Sequence, residues 1–533
     1  MAIVRSQLIL SHEISGRLAE GTYLWYKPPV NNVMNFYLYN VTNPDRIIFY
    51  GEKPQVVEIG PFAIVESESK REYEFRDKDT KLWYKNYKTY VYNESLSCPV
   101  CKYDSIVNIA NLPALGAIGE ILDPKYNVSK NILLYKYTKF GEVMFDGYND
   151  ALLSAAHSDL LKELDQLCNC SIIPVPVPAM EKLAMFYQYN NTNDDEYVIN
   201  TGKDDINQYG KIISWAGTNQ LPAEWWGTEQ ARMINGSDSG SFQPPGLNKS
   251  SVNRFFMSFL CRSLYMTYSD ESTVHDIPTY EFQTPIETFD TTLEENRGFR
   301  YENREKINYF PDWPDCRNVP KKNVTCPLPD YIDCALKENL CHACCNGSFV
   351  NKTYILPPGM YYTACYPGKY QASPFYLIFS APHFAFSPPE VAESLVGQYP
   401  KLPDHVPFIY NHERISSAIS KIDFRFQVNI PMYRSKVPIM ANNFPNKILP
   451  VLWVQAEAYL QDFAYDTLHL AFVLVPKLVD YGKIFTLLLA LLFAALAFIC
   501  SRRKTKVDYD LNGARLNLIR PNDTSVIENH PWN

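Results

Sequence analysis

Apolar and polar residues alternate through FRFQVNI (424–430): Phe424, Phe426, Val428 and Ile430 fall on one side, and Arg425, Gln427 and Asn429 on the other. A period of two is that of a strand with one buried face. REYEFRD (71–77), KTYVY (88–92) and PTYEFQTP (278–285) alternate in the same way. FYLIFSAPHFAFSP (375–388) is apolar on both sides and predicts a core strand. Three stretches predict helices instead. NLPALGAIGEIL (111–122) is short and apolar, and DALLSAAHSDLLKELDQLC (150–168) places Leu153, Ala156, Leu160, Leu164 and Leu167 on one side. NRFFMSFLCRSLYMTY (253–268) is the third. The first two are expected to form a helical subregion inserted among strands.

IFTLLLALLFAALAFIC (484–500) carries no charge. Its length at 1.5 Å per residue is roughly 25 Å, near the lower limit for a bilayer core, and Lys483 can snorkel to extend it. The flank SRRKTK supplies Arg502, Arg503, Lys504 and Lys506, and such a cluster marks the cytoplasmic side of a span. The expected organisation is a lumenal or extracellular ectodomain over 1–482, a transmembrane helix over 483–500 and a cytoplasmic tail over 501–533. Cys500, at the cytoplasmic boundary, is a candidate palmitoylation site.

The pattern Asn-x-Ser/Thr agrees with that orientation. Ahead of the apolar segment it occurs at Asn40, Asn93, Asn127, Asn169, Asn190, Asn235, Asn248, Asn323, Asn346 and Asn351, and these are the expected glycosylation sites. The start, MAIVRSQLILSHEISGRLAEG, has no apolar region of the kind a signal peptide carries, so an upstream signal is expected.

Composition adds little to the pattern but narrows the class. In 533 residues, 46% are hydrophobic and 14% aromatic, with 38 Tyr, which leans toward β structure and away from disorder. A net charge of −8 and the lack of a basic stripe argue against nucleic acid as a partner. Twelve of the 13 cysteines precede the apolar segment: Cys98, Cys101, Cys168, Cys170, Cys261, Cys316, Cys326, Cys334, Cys341, Cys344, Cys345 and Cys365. An even set beside the sequons fits disulfides in an oxidising compartment. Zinc is the rival reading of CHACC (341–345), but no second knuckle matches it. No catalytic or cofactor signature stands out. GSDSG (236–240) has Asp238 where a nucleophilic Ser belongs, GKDD (202–205) lacks the rest of a phosphate loop, and HERIS (412–416) lacks a second His. An enzyme is not expected.

WYKPPV (25–30), FYLYNVTNP (36–44), GEKPQVVEIGPF (51–62), FDGYND (145–150), MINGSD (233–238), CRSLY (261–265), PHFAFSPPEV (382–391), RFQVNI (425–430) and LPVLW (449–453) follow one another in order. Together they resemble the class B scavenger receptor family over roughly residues 7–500. The resemblance implies a mainly β fold with a helical apex (α+β), an antiparallel β-barrel-like ectodomain enclosing an apolar tunnel, and a span near each end. The N-terminal span is then expected ahead of residue 1. It also implies a receptor at the plasma membrane or lysosomal membrane that binds fatty acids, sterols, phospholipids or lipoprotein particles and passes apolar lipid to the bilayer. The alternative is a receptor for protein ligands, such as a lysosomal hydrolase carrier or a recognition receptor for microbes or dying cells. Lys125, Lys130, Lys136 and Lys139 fall where the family captures ligand, and Cys261 and Cys365 match a family disulfide. Ala231-Arg232 replace the cysteine usual before MING, and Cys98, Cys101, Cys168 and Cys170 look like an added apex set. LNLIRP (516–521) is similar to a lysosomal Leu-Ile signal, with Ala514 in place of its acidic residue.

Overall fold

The computed structural model describes residues 8–12, 16–113, 115, 135–150, 153–154, 158, 163, 166, 182–291, 293–301, 309–310, 349–350, 353–354, 356–373, 377–432 and 445–516. The chain forms two compact units, Met1–Tyr465 and Asp466–Asn533.

The first unit is built on one large sheet. Its strands are β1 (Val30–Val41), β2 (Val56–Arg76), β3 (Lys81–Tyr92), β6 (Thr192–Asn200), β7 (Ile212–Trp215), β8 (Ser237–Asp238), β9 (Val252–Met257), β10 (Arg262–Val274), β11 (Ile277–Gln283), β14 (Met360–Tyr362), β15 (Ile378–Ser380), β16 (Phe408–Glu413), β17 (Ile419–Met432) and β18 (Lys447–Leu460). Along the sheet they run β7-β6-β3-β2-β1-β18-β17-β16-β11-β10-β9-β8, with β15 also on β17 and β14 on β15. All neighbours are antiparallel except β8 and β9. The two ends of the path meet: Lys211 bridges Ser237, and Ile212 N donates to Gly236 O at 2.8 Å. The sheet is therefore a nearly closed barrel. A separate ribbon pairs β4 (Ile106–Ala110) with β5 (Tyr135–Lys139), and β12 (Phe349–Val350) pairs with β13 (Thr353–Tyr354).

Gly236 makes the seam possible. Its φ of +85° is a conformation that L side chains rarely adopt, and an added Cβ would lie 2.0 Å from Arg254 O.

Two sequence expectations are corrected here. Residues 253–268 are not a helix. They form the β9–β10 hairpin, with Met257 opposite Arg262. The turn holds Cys261 at φ +50° without a glycine, so no turn signal marked it, and the spacing of Phe256, Leu260 and Leu264 mimicked a helical face. Among its described residues, the apolar run 375–388 is a strand only over Ile378–Ser380. It then breaks into a short turn, with His383 and Phe384 at φ +52° and +59°. The helices expected over 111–122 and 150–168 fall mostly outside the described residues.

In the second unit a helix spans Val475–Leu516. The stretch Asp462–Arg502, 41 residues, is long and apolar enough to cross a membrane. Its side chains from Ile484 to Ile499, Leu487, Phe493 and Phe498 among them, are exposed, as lipid-facing residues are.

Candidate functional site

The barrel has a distinct interior face. Register places Phe36, Val454 and Phe426 on one face, together with Phe62 and Ile64 of β2. Aromatic rings cross the interior from that face. Phe36 meets Phe186 at 5.7 Å, Phe186 meets Phe259 at 5.9 Å, and Phe259 meets Phe426 at 5.2 Å between ring centroids. Phe259 belongs to the β9–β10 turn, remote from β1 and β17 in the strand order, so only an inward-facing chain of rings can join them. Small residues share this wall: Ala456 lies opposite Met34 and Phe424, and Ala458 opposite Asn32 and Ile422.

The same face of β2 and β3 changes character halfway along. Phe62 and Ile64 are apolar, but Glu66, Glu68 and Lys70 follow at the same parity. On β3, Tyr90 faces Glu66 and Lys88 faces Glu68, after which Asn86 leads back to apolar Tyr84 and Leu82. A charged belt thus separates two apolar clusters, one holding Phe62 and Ile64, the other Leu82 and Tyr84. The belt's carboxylates have direct partners. Glu68 accepts from Lys70 at 2.5 Å and Asn86 at 2.9 Å, Glu66 from Asn32 at 2.9 Å, and Asp194 from Tyr197 at 2.8 Å and Ser258 at 3.0 Å. Asp238 accepts from Tyr84 at 3.0 Å. Burial opposes the charge on Glu68, yet Lys70 and Lys88 hold its pKa down to about 2. Burial and the neighbouring Asp194 push Asp238 upward.

Next to the belt, a cleft of about 360 Å³ is lined by Tyr90, Tyr92, Tyr103, Phe145, Phe186 and Tyr187, with Asp146, Gln188 and Asn190 at its polar edge. Tyr90 packs on Phe186 at 5.4 Å, so this cleft borders the aromatic crossing.

The opposite face of β17 and β18 is polar but covered. Gln427 accepts from Tyr39 (2.9 Å) and from His383 N (2.8 Å), and Asn429 donates to Ile378 O and Ser380 Oγ, both at 3.0 Å. Glu58 takes Trp453 Nε1 at 2.7 Å and His383 Nε2 at 2.9 Å. Burial opposes the charge of Glu58, and these hydrogen bonds hold its pKa below the usual value. His405 stacks on His383 at 4.6 Å; burial first, then His383, lowers its pKa to about 4.

The residues singled out in the sequence are only partly gathered near this interior. Lys136 is tied to Asn149 O and lies 4.5 Å from the Tyr148 ring, while Lys139 is exposed on β5. Lys125 and Lys130 lie outside the described residues. Cys261 and Cys365 are joined across 104 residues, Cα–Cα 6.0 Å, and Cys98 is joined to Cys101. Cys168, Cys170, Cys316, Cys326, Cys334, Cys341, Cys344 and Cys345 lie outside the described residues. Cys500 is an exposed free thiol. Among the sequons, Asn190 is exposed at the cleft. At Asn93 and Asn248 the side-chain carbonyl accepts from the hydroxyl two residues on, at 2.7 and 2.6 Å. Asn40 and Asn235 are half-buried, and Asn127, Asn169, Asn323, Asn346 and Asn351 fall outside the described residues. The charged belt was missed in the sequence. Its one signal there is the switch from apolar to charged residues at constant parity along β2.

A large disulfide-linked β unit followed by a helix long enough to span a bilayer is the build of a membrane-anchored receptor. The chain belongs to the CD36 family, whose model matches residues 2–501. It is 38% identical to an uncharacterized protein of Caenorhabditis elegans over 493 residues, covering 90% of this chain and 88% of that one. It is 28% identical to lysosome membrane protein 2 of Homo sapiens over 444 residues (82% and 76%), and 22% identical to scavenger receptor class B member 1 of Bos taurus over 489 residues (91% and 82%). A class B scavenger receptor role follows at the level of the family. Proteins of this family are receptors rather than enzymes, and by their names one of these relatives is a protein of the lysosome membrane and another a scavenger receptor.

Proposed function

We propose that this receptor binds lipids or lipoprotein particles and passes apolar lipid through its barrel toward the bilayer, with the β unit lumenal or extracellular and residues 501–533 cytoplasmic. The observation that supports this reading most is the interior wall. It is apolar from Phe36 to Phe426, and an aromatic cleft borders it at Tyr90 and Phe186. An acyl chain gains about 0.8 kcal/mol per CH2 removed from water, so a lined path lowers the cost of leaving a particle. Ala456→Trp, on that wall, tests the route. In cells displaying equal amounts of receptor, uptake of a fluorescent fatty acid falls while particle binding is kept. Unchanged uptake would mean that lipid does not travel through the interior.

A second reading is docking of a protein ligand. The β4–β5 ribbon favours it, because Ile106 and Tyr137 are exposed there at 69% and 70%, beside Lys139. Ile106→Glu with Tyr137→Glu removes such docking and spares fatty acid uptake.

A further inference from the structure

The cleft beside the belt is walled by rings and carries one carboxylate. Tyr90 and Tyr92 reach it from the end of β3, Tyr103 from the segment after Cys101, and Asp146 from the turn after β5. Packing fixes these walls. Phe145 stacks on Phe186 at 5.7 Å, where Phe186 N donates to Met144 O at 2.7 Å, and Tyr92 lies 5.5 Å from Tyr103. Gly141 makes room for Tyr103, since an added Cβ would lie 2.1 Å from its ring. Tyr92 donates its hydroxyl to Cys101 O at 2.6 Å and Tyr103 donates to Asp146 Oδ1 at 3.1 Å, so both offer a ligand their rings rather than a free hydroxyl. Burial and Asp146 push the Tyr103 pKa up to about 12, which keeps the proton it donates. Asp146 is exposed, its Oδ2 accepts no hydrogen bond, and neither oxygen has an ion pair among the described residues. Among the described residues no Lys or Arg lines the cleft. It is a space of about 360 Å³, in the lower range of small-ligand sites, made electronegative by its ring faces and by Asp146.

We propose that this cleft holds the quaternary ammonium head of a choline lipid. A trimethylammonium spreads its charge over methyl groups and has no N–H to satisfy, so an aromatic wall takes it up at small desolvation cost and attracts it through the ring quadrupoles. A primary ammonium, as in an ethanolamine lipid, brings three donors, and the cleft has few acceptors for them. Asp146 Oδ2 is one, but the amide oxygen of Asn190 is already taken by Tyr90 N at 3.0 Å. Asp146 adds a full negative charge, which attracts a cationic head and opposes one that is only anionic. Phe186 joins the cleft to the interior: it lines the cleft and meets Phe36 at 5.7 Å, so an acyl chain behind the head can continue along the aromatic crossing. That continuity favours a lipid over a free organic cation. The inference rests on the reading that this receptor binds lipid, and it adds the head group by which such a lipid is recognised.

The test is calorimetric titration of the full chain in maltoside micelles with dihexanoyl phosphatidylcholine, phosphatidylethanolamine and phosphatidylglycerol. Wild type binds the choline lipid most tightly, by roughly threefold to tenfold over the ethanolamine lipid, the range that ring faces supply. Tyr187 also lines the cleft, and its hydroxyl makes no hydrogen bond among the described residues. Tyr187→Leu lowers the preference for choline over ethanolamine by about threefold, whereas Tyr187→Trp retains it. Asp146→Asn weakens the choline lipid by about threefold and does not weaken the glycerol lipid, which has no cation. A urea unfolding midpoint equal to that of wild type shows that a variant is folded, and Asp146→Asn, at an exposed position, carries the test if Tyr187→Leu is unstable. Tetramethylammonium competes only in large excess, because it lacks the chains; competition at equal concentration would make this a site for a small free cation and overturn the lipid assignment. Equal affinity for the three lipids, unmoved by the variants, overturns the choline site and leaves lipid binding standing. Binding of none of them overturns the lipid reading and this site with it.

Discussion

Acidification should weaken the barrel through His412, by an amount that can be worked from its surroundings. His412 is 0% exposed. Its Nδ1 lies 3.0 Å from Ser417 O, which can only accept, so Nδ1 carries the proton and Nε2 accepts from Asn253 Nδ2 at 3.0 Å. Burial lowers its pKa to about 4, against 6.5 for a free histidine. The unfolded chain takes up a proton as pH falls through 6.5, whereas the folded chain resists until about 4. The stability is therefore complete above the unfolded value and is lost as pH falls between the two. At pH 5 the gap amounts to about 1.5 pH units, or about 2 kcal/mol. His405 adds to the loss in the same direction, while the raised pKa of Asp238 acts against it. Urea unfolding of the full chain in detergent at pH 7 and pH 5 measures the change. The variant His412→Gln starts less stable but loses about 2 kcal/mol less over that interval. Equal losses in wild type and variant would refute the assignment of the proton uptake to His412.

Gly236→Ala should open the seam between β7 and β8. Positive-φ strain of about 1–2 kcal/mol adds to displacement of the Ile212–Gly236 hydrogen bond, giving about 3 kcal/mol in denaturant unfolding; a change under about 1 kcal/mol would show that the seam adapts. Cys261→Ser with Cys365→Ser removes the bridge beneath Trp226, whose Nε1 donates to Cys261 O at 2.7 Å. Unfolding stability drops by about 2–5 kcal/mol at most, since the core is large, and peptide mapping without reductant finds Cys261 and Cys365 linked in wild type. Leu492→Lys places a charge mid-span at a cost of about 3 kcal/mol to insertion, so more protein is extracted by alkaline carbonate; an unchanged membrane fraction would argue against a span there.

The strands were legible wherever alternation was strict. β17 was read from FRFQVNI, and β11 from PTYEFQTP. What alternation does not carry is the fate of the polar side. Arg425, Gln427 and Asn429 looked solvent-facing, yet Gln427 and Asn429 are 0% exposed. Tyr39, His383 N, Ile378 O and Ser380 Oγ satisfy their amides, and Arg425 donates to Val406 O. The reading of 253–268 failed for a related reason, since Phe255, Phe256, Leu260 and Leu264 are apolar on every side of either period. Next to the turn, β9 buries three successive residues, Phe255, Phe256 and Met257, and that run hides the period, although β10 alternates from Arg262 to Thr267.

The belt shows why the interior could not be read in advance and why it matters. Glu68, Lys88 and Asp194 lie far apart in sequence and converge only through the order β6-β3-β2. Each alone looks like the polar half of an amphipathic strand. In a wall made only of residues like Phe36, Ile64 and Phe426, affinity would grow with every methylene and release would slow accordingly. A belt of paired charges bounds the apolar surface a chain can cover at one time. Its carboxylates must stay paired, because an uncompensated one would cost several kcal/mol in such an enclosure. Lys70, Asn86 and Asn32 provide the hydrogen bonds, and the Lys88 charge acts on both Glu66 and Glu68. On the proposed route through the interior, such a belt would limit the hold of the wall on a lipid.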